Sequence, residues 1–190
     1  LYGGAKKAMI VFQQNVVSVS CAELLADLAV LSGHIGSPRD GILMVKSKNN
    51  SQGLVDLGIT AGAEALEGVK ALLVFGQNPD PELVKDVEFM MVSDTHLTPA
   101  AAAANVVLPG SAPISANGSY INTERRFQMT SPALKPAVLF NNWQLMCELA
   151  ETLEMELPYD SEEDIMREMN TEFLWYRDAS EGEVVGGVLT

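Results

Sequence analysis

Short apolar runs bounded by turn residues constrain this chain more than any other feature. They are 8-AMIVF-12, 70-KALLVFG-76, 87-VEFMMVSD-94 and 105-NVVL-108. Their length and near-continuous apolarity read as strands buried on both faces. Helix-start signals follow them. After the first run, 20-SCAELLADLAVLSG-33 sets a Ser20 cap three residues before Glu23 and ends on a Gly33 stop. Pro79 to Glu82 follows the second run, and Thr98-Pro99 opens an alanine-rich segment after the third. Buried strands alternating with helices predict an α/β fold built on a doubly wound, mostly parallel sheet. Cys21, Leu24, Leu25, Leu28 and Leu31 share one face at helical spacing, which is expected to lie in the core. The stretch 33-GHIGSPRDGILMVKSKNNSQGLVDLG-58 opens with three glycines and a proline in nine residues and reads as a shaped loop.

With 190 residues, 47% of them hydrophobic and 19% charged, the chain has enough apolar side chain for a core. The expected division is an α/β domain over 1–155 and an acidic helical extension over 156–190. The longest nearly apolar runs, such as Ala100 to Leu108, fall well short of the ~20 residues that span a bilayer, and none has a signal-peptide flank. A soluble protein without membrane insertion is expected. Cys21 and Cys147 are too few and too far apart for a disulfide framework or a zinc site, so a reducing cytoplasm is the simplest setting.

The net charge of −13 is unevenly distributed. Residues 1–60 carry five Lys/Arg against four Asp/Glu and residues 61–140 carry five against eight, whereas residues 141–190 carry two against thirteen. No basic stripe is available to neutralise phosphates, which argues against nucleic acid or anionic lipid as partner. The acidic end reads as a solvated face.

In open parallel sheets ligands gather beyond the carboxyl ends of the strands. Here those ends are 76-GQNPD-80, 93-SDTHLTP-99 and 109-PGSAPISANGS-119, all rich in residues that allow close backbone approach or carry short polar side chains. Singly they are ordinary turns; together they resemble a clamp for a nucleotide-like ligand. In such a clamp the Asp94 carboxylate suits ribose hydroxyls, and the hydroxyls of Thr95 or Thr98, with the N–H groups of helix N-termini, suit phosphates. Neither G-x-G-x-x-G nor G-x-x-x-x-G-K-[ST] occurs, so a conventional nicotinamide site and a P-loop are both unsupported. His34 and His96 are the only histidines, and no Cys/His spacing suits a metal. His96 reads as a surface or capping residue. Residues Asn122 to Arg126 also fit a plain hairpin with a Glu124–Arg surface ion pair.

The loops taken in order resemble a known family. The succession 31-LSGHIGSPRDGI-42, 49-NNSQG-53, 56-DLG-58, 76-GQNP-79, 92-VSDTHLTPAAAAANVVLP-109, 118-GSYINTERRFQ-128 and Trp143 is similar to the pterin-binding core of the molybdopterin oxidoreductases. Within that family it resembles formate dehydrogenase catalytic subunits and the related large iron–sulfur subunit of NADH:quinone oxidoreductase. The resemblance covers roughly residues 1–155. It implies a Rossmann-like domain that cradles molybdopterin guanine dinucleotide, with molybdenum or tungsten, for two-electron transfer in a larger oxidoreductase.

Carried over by position, it puts Asn50 and Gln52 beside the pterin. Gly76, Asn78 and Asp94 fall around the guanosine half, Thr98 near its phosphates, and Gly118, Asn122 and Arg126 near the pterin again. These are binding residues; no catalytic residue and no metal ligand is expected in this stretch. The sequence departs from the family pattern where Lys46 and Ser47 stand in place of an arginine and glycine, and where Ser115 replaces an acidic residue. The stretch also has no iron–sulfur Cys motif, no Cys or selenocysteine metal ligand and no C-terminal barrel. It reads as one module of a longer enzyme, inactive alone, whose partners are the other domains and electron-transfer subunits. The alternative is a pterin-free scaffold module, as in the NADH:quinone oxidoreductase subunit, and Lys46 and Ser115 point that way.

Overall fold

A computed structural model describes residues 1–60, 62–173 and 182. In chain order the regular elements are β1 (Met9–Gln13), α1 (Val19–Leu31), β2 (Gly41–Val45), α2 (Ser51–Asp56), β3 (Ala71–Phe75), α3 (Pro81–Val84), β4 (Phe89–Asp94) and α4 (Pro99–Ala103). They continue with β5 (Val106–Pro109), β6 (Gly118–Ile121), β7 (Phe127–Thr130), α5 (Asn142–Thr152) and α6 (Glu162–Glu172). The chain forms two compact units. Unit 1 comprises Leu1–Ile59, Ser119–Met129 and Glu168–Thr190; unit 2 comprises Thr60–Gly118 and Thr130–Arg167. The result is an α/β protein with parallel sheets.

Unit 2 holds the three apolar runs as a parallel sheet in the order β3-β4-β5. β4 is the central strand, and Met90, Met91, Val92 and Ser93 are all buried, as a strand covered on both faces requires. On one face Val74, Met90 and Val92 pack with Ala100 and Ala101 of α4, and Leu72, Val84, Val87 and Ala104 border that cluster. Small alanines let α4 lie close to the sheet, while Pro99 supplies a fixed φ at its first turn. The register pairs Phe75 with Ser93 and Asp94 with Pro109, so the three strands end on one edge. Two bonds extend the ladder past the strands: Gly76 donates to the Ser93 carbonyl and Gly110 to the Asp94 carbonyl, both at 2.8 Å. The expected strands near 71–75, 88–92 and 106–108 are found with that orientation.

Unit 1 contains a second parallel pair, β1-β2, running in register from Met9–Gly41 to Gln13–Val45. The parallel strands are thus divided between two sheets. A third, β6-β7, is a hairpin whose 122–126 connection is too short for a parallel crossover. The stretch expected to be a loop from 33 to 58 is one only as far as Asp40. Beyond it Gly41–Val45, an uninterrupted apolar run, pairs with β1, and Ser51–Asp56 close a turn and a half of helix.

Two further expectations fail in α1. Its cap is Ser18, whose hydroxyl accepts the N–H of Cys21 at 3.3 Å, so the helix begins earlier than a Ser20 cap allows. Its leucine face is not core either. Leu24, Leu28 and Leu31 are 67%, 46% and 87% exposed and Cys21 is exposed, because the face that packs inward is the one carrying Ala29. Helical periodicity identifies an apolar face but not whether anything covers it.

Within the expected acidic extension, α6 opens with Glu162, Glu163 and Asp164, carboxylates favourably placed at a helix N-terminus. Glu162 also accepts the indole N–H of Trp143 at 3.2 Å, which links α5 to the start of α6. Beyond Phe173 only Gly182 is among the described residues, so the rest of the extension lies outside them. No helix among the described residues is long and apolar enough to cross a membrane.

Candidate functional site: a sheet edge and a buried carboxylate

The edge of unit 2 is built by three loops. After β3, Gly76 turns the chain at φ +60°, a left-handed conformation in which a side chain would be strained. Two residues on, Asn78 Oδ1 accepts the N–H of Ala100 at 3.0 Å. After β4, Asp94 Oδ1 accepts the Thr95 N–H at 2.6 Å and, more weakly, the His96 N–H at 3.4 Å. The second oxygen, Oδ2, has no hydrogen-bond partner among the described residues. After β5, Gly110 passes so close to Asp94 that an added Cβ would sit 3.0–3.1 Å from its backbone atoms. Only glycine fits there without moving the carboxylate's own backbone.

The first turn of α4 is fully committed. Pro99 has no N–H, Ala100 donates to Asn78, Ala101 donates to Thr98 Oγ1 at 3.2 Å and Ala102 to the Thr98 carbonyl at 2.8 Å. The short α3 is similar: Pro81 has no N–H, and Glu82 and Leu83 donate to the side chain and carbonyl of Asp80. The expectation that helix N-termini present unpaired N–H groups to a phosphate is therefore not met at these two helices. What remains for an anion is hydroxyl donors, since Thr98 Oγ1 accepts from Ala101 but keeps its own proton to give. His96 is exposed, and its Nδ1 lies 2.8 Å from Thr95 Oγ1.

In unit 1 the candidate residues lie where α2 meets the β6-β7 hairpin. Asn50 Oδ1 accepts the N–H of Ile121 at 2.9 Å, and an added Cβ on Gly53 would lie 2.6 Å from that same oxygen. Gln52 donates through Nε2 to Asp56 Oδ1 at 2.8 Å, and Arg125 donates through Nη2 to the same atom at 2.6 Å. The Asp56 side chain is 3% exposed, the Arg125 side chain 37%. The hairpin turn is tightened by Asn122, whose Oδ1 accepts the Arg126 N–H at 2.9 Å and whose carbonyl accepts the Arg125 N–H at 2.8 Å. Arg125 adopts φ +61°, and the Arg126 guanidinium donates to the carbonyl of Gly182. The ion pair of this turn is with Asp56 and not with Glu124.

Thus Gly76, Asn78, Asp94 and Thr98 share the strand-end edge of unit 2; Gly118 falls in the same unit but opens β6, a strand of another sheet. Asn50, Gln52, Asn122 and Arg126 belong to unit 1. Asp56 and Arg125 were not singled out from the sequence. The Gln52–Asp56 spacing of four residues on a helix was the available signal, whereas nothing local announces a partner 69 residues away.

Unit 1 also buries His34 at 4% exposure. Its Nε2 meets the Tyr2 carbonyl at 3.0 Å and its Nδ1 meets Asp40 Oδ1 at 3.3 Å. Asp40 accepts in addition from the Ala8 N–H and the Ser37 hydroxyl, both at 2.7 Å, so this histidine is a structural tie for the N-terminal segment.

The family model described as molybdopterin oxidoreductase matches residues 4–152. The chain belongs to the molybdopterin oxidoreductase family. It is 27% identical to the F420-dependent formate dehydrogenase subunit alpha of Methanocaldococcus jannaschii, over 93% of this chain and 34% of that protein. It is 26% identical to formate dehydrogenase H of Escherichia coli, over 89% of this chain and 31% of that protein. Similarity extends to the mitochondrial NADH-ubiquinone oxidoreductase 78 kDa subunit of Candida albicans, 29% identical over 83% of this chain and 23% of that protein. The chain spans about a third or less of the length of these relatives.

The donor and acceptor set fits the organic part of such a cofactor. Asp94 Oδ2, which has no hydrogen-bond partner among the described residues, is a carboxylate acceptor open to a ligand's donor. A pterin ring needs fixed acceptors and donors, and Gln52 Oε1 and Asn50 Nδ2 are, among the described residues, the uncommitted ends of two anchored amides.

Proposed function

We propose that this chain is the cofactor-cradling module of a molybdenum or tungsten oxidoreductase, of formate dehydrogenase type, and that it binds molybdopterin guanine dinucleotide. The single observation that carries the reading is the sheet edge of unit 2. There a carboxylate oxygen of Asp94 is uncommitted beside two glycines, Gly76 and Gly110, that keep the backbone low. Asp94 accepts from the guanosine half, Gly76 and Asn78 border it, and the Thr98 hydroxyl donates to phosphate. Asn50, Gln52, Asn122 and Arg126, with Gly118, hold the pterin half. The bound cofactor supplies the two-electron chemistry; the residues of this chain bind and orient it and perform no proton transfer of their own. The doubly wound, Rossmann-like description, the division at residue 155 and a cytoplasmic setting are part of the same proposal. So is an enzyme in which further domains and electron-transfer subunits are the partners of this module.

Calorimetric titration with GDP tests the reading. The parent should bind, Asp94→Ala should bind about tenfold or more weakly through loss of a charge-assisted hydrogen bond, and His96→Ala should match the parent. Equal binding by parent and Asp94→Ala would remove the guanosine assignment. A pterin-free scaffold role is the second reading, favoured by Lys46 and Ser115 and by the similarity to the NADH-ubiquinone oxidoreductase subunit. Absence of GDP binding in every variant would favour it.

A further inference from the structure

Asp56 is buried, and one of its oxygens receives two donors from different parts of the chain: Gln52 Nε2 from its own helix and Arg125 Nη2 from the hairpin turn. A carboxylate accepts and does not donate, so the carboxamide of Gln52 has one permitted orientation, with Nε2 inward on Asp56 and Oε1 turned away. A free glutamine can present either end to a ligand; this one presents only an acceptor. Gly53 and Asn50 hold the same turn against Ile121, so α2 cannot rotate to relax the constraint without breaking the Asn50–Ile121 bond.

We infer that Asp56 is a positioning residue that makes Gln52 an obligate acceptor, and that Gln52 thereby selects pteridines carrying an exocyclic 2-amino group. The inference rests on the pterin assignment of Gln52 proposed above and adds to it the residue that sets the specificity. The 2-amino group is the donor that distinguishes a pterin from a pteridine-2,4-dione, which carries a carbonyl oxygen at that position. Against Gln52 Oε1 that carbonyl would place two acceptors face to face.

The test is a calorimetric comparison of 6-hydroxymethylpterin with 6-hydroxymethyllumazine on the full chain, with the melting temperature of each variant recorded. The parent should prefer the pterin by about ten- to a hundredfold, the cost of one mismatched polar contact. Asp56→Asn keeps an acceptor oxygen for Gln52 and Arg125 and should retain the preference. Asp56→Ala frees the carboxamide to turn, and the preference should collapse toward unity because the lumazine gains. Gln52→Leu, which leaves Asp56 and Arg125 paired, should lose the preference in a folded protein even if Asp56→Ala proves unstable. Retention of the preference by Gln52→Leu or by folded Asp56→Ala would overturn the inference while leaving pterin binding intact. Equal affinity of the parent for both compounds would do the same. Failure of the parent to bind the pterin at all would overturn the pterin assignment itself, and this inference with it.

Discussion

Asn78 Oδ1 accepts the backbone N–H of Ala100 at 3.0 Å, and that one bond ties the loop after β3 to the first turn of α4. The residue on which the guanosine assignment partly rests is therefore also a cap supplied from a distance. Asn78→Ala should leave a half-buried helical N–H without a partner and destabilise unit 2 by about 1–2 kcal/mol. Asn78→Asp keeps the acceptor and should stay within about 0.5 kcal/mol of the parent. Denaturant unfolding of the two variants separates them; equal loss in both would mean that the Ala100 bond contributes little.

Gly110 faces Asp94 backbone atoms, which cannot swing aside as a side chain would. Gly110→Ala should cost about 1–3 kcal/mol by overpacking and should weaken GDP binding by displacing Asp94. Thermal unfolding with and without GDP checks both effects. An alanine variant of parental stability and affinity would show that the close approach is not required.

Asp40 gives a pH signature. The hydroxyl of Ser37 and the Ala8 N–H, with smaller help from His34 and Lys7, hold its carboxyl below the ordinary value of 3.8 against the opposing effect of burial. A depressed folded pKa means that the folded state binds fewer protons, so the stabilisation is fully present above pH 3.8 and is lost as pH falls through the folded value. The stability difference between parent and Asp40→Asn should be constant near neutrality and shrink below about pH 4. Urea unfolding across pH 3–7 measures it, and a difference unchanged at pH 3 would remove the assignment.

Arg125→Ala should leave Asp56 buried with only Gln52 as donor, costing about 1–3 kcal/mol. The partly exposed guanidinium keeps the loss below that of a fully buried pair. A double-mutant cycle with Asp56→Ala should return a favourable coupling. Additive effects would mean that the contact is geometric only.

These expectations separate what the chain discloses locally from what it does not. The strands at 71–75, 89–94 and 106–109 could be read because each is a short apolar run closed by local turn chemistry, but burial on both faces holds only for β4: Leu73 of β3 and Val106 and Val107 of β5 are exposed. The Ser18 cap was missed because Val19 separates two serines and the spacing to Glu23 favours the wrong one. Leu24, Leu28 and Leu31 misled for another reason: amphipathicity is a property of the helix, while burial depends on what packs against it. β2 was hidden by the glycines that precede it. The Asp56–Arg125 pair and the Asn50–Ile121 bond join residues about seventy positions apart, and no periodicity carries that information.

The central claim, that this module cradles a pterin guanine dinucleotide, is tested most directly by what the chain retains. The chain and its Asp94→Ala variant would be produced in a host that makes the cofactor, purified, and treated with acid and oxidant. The pterin would then be measured by fluorescence and the released GMP by chromatography. The account predicts fluorescent pterin and GMP in equal amounts from the parent and much less of both from Asp94→Ala. Pterin without GMP, or neither above the level of an unrelated protein from the same host, would contradict it.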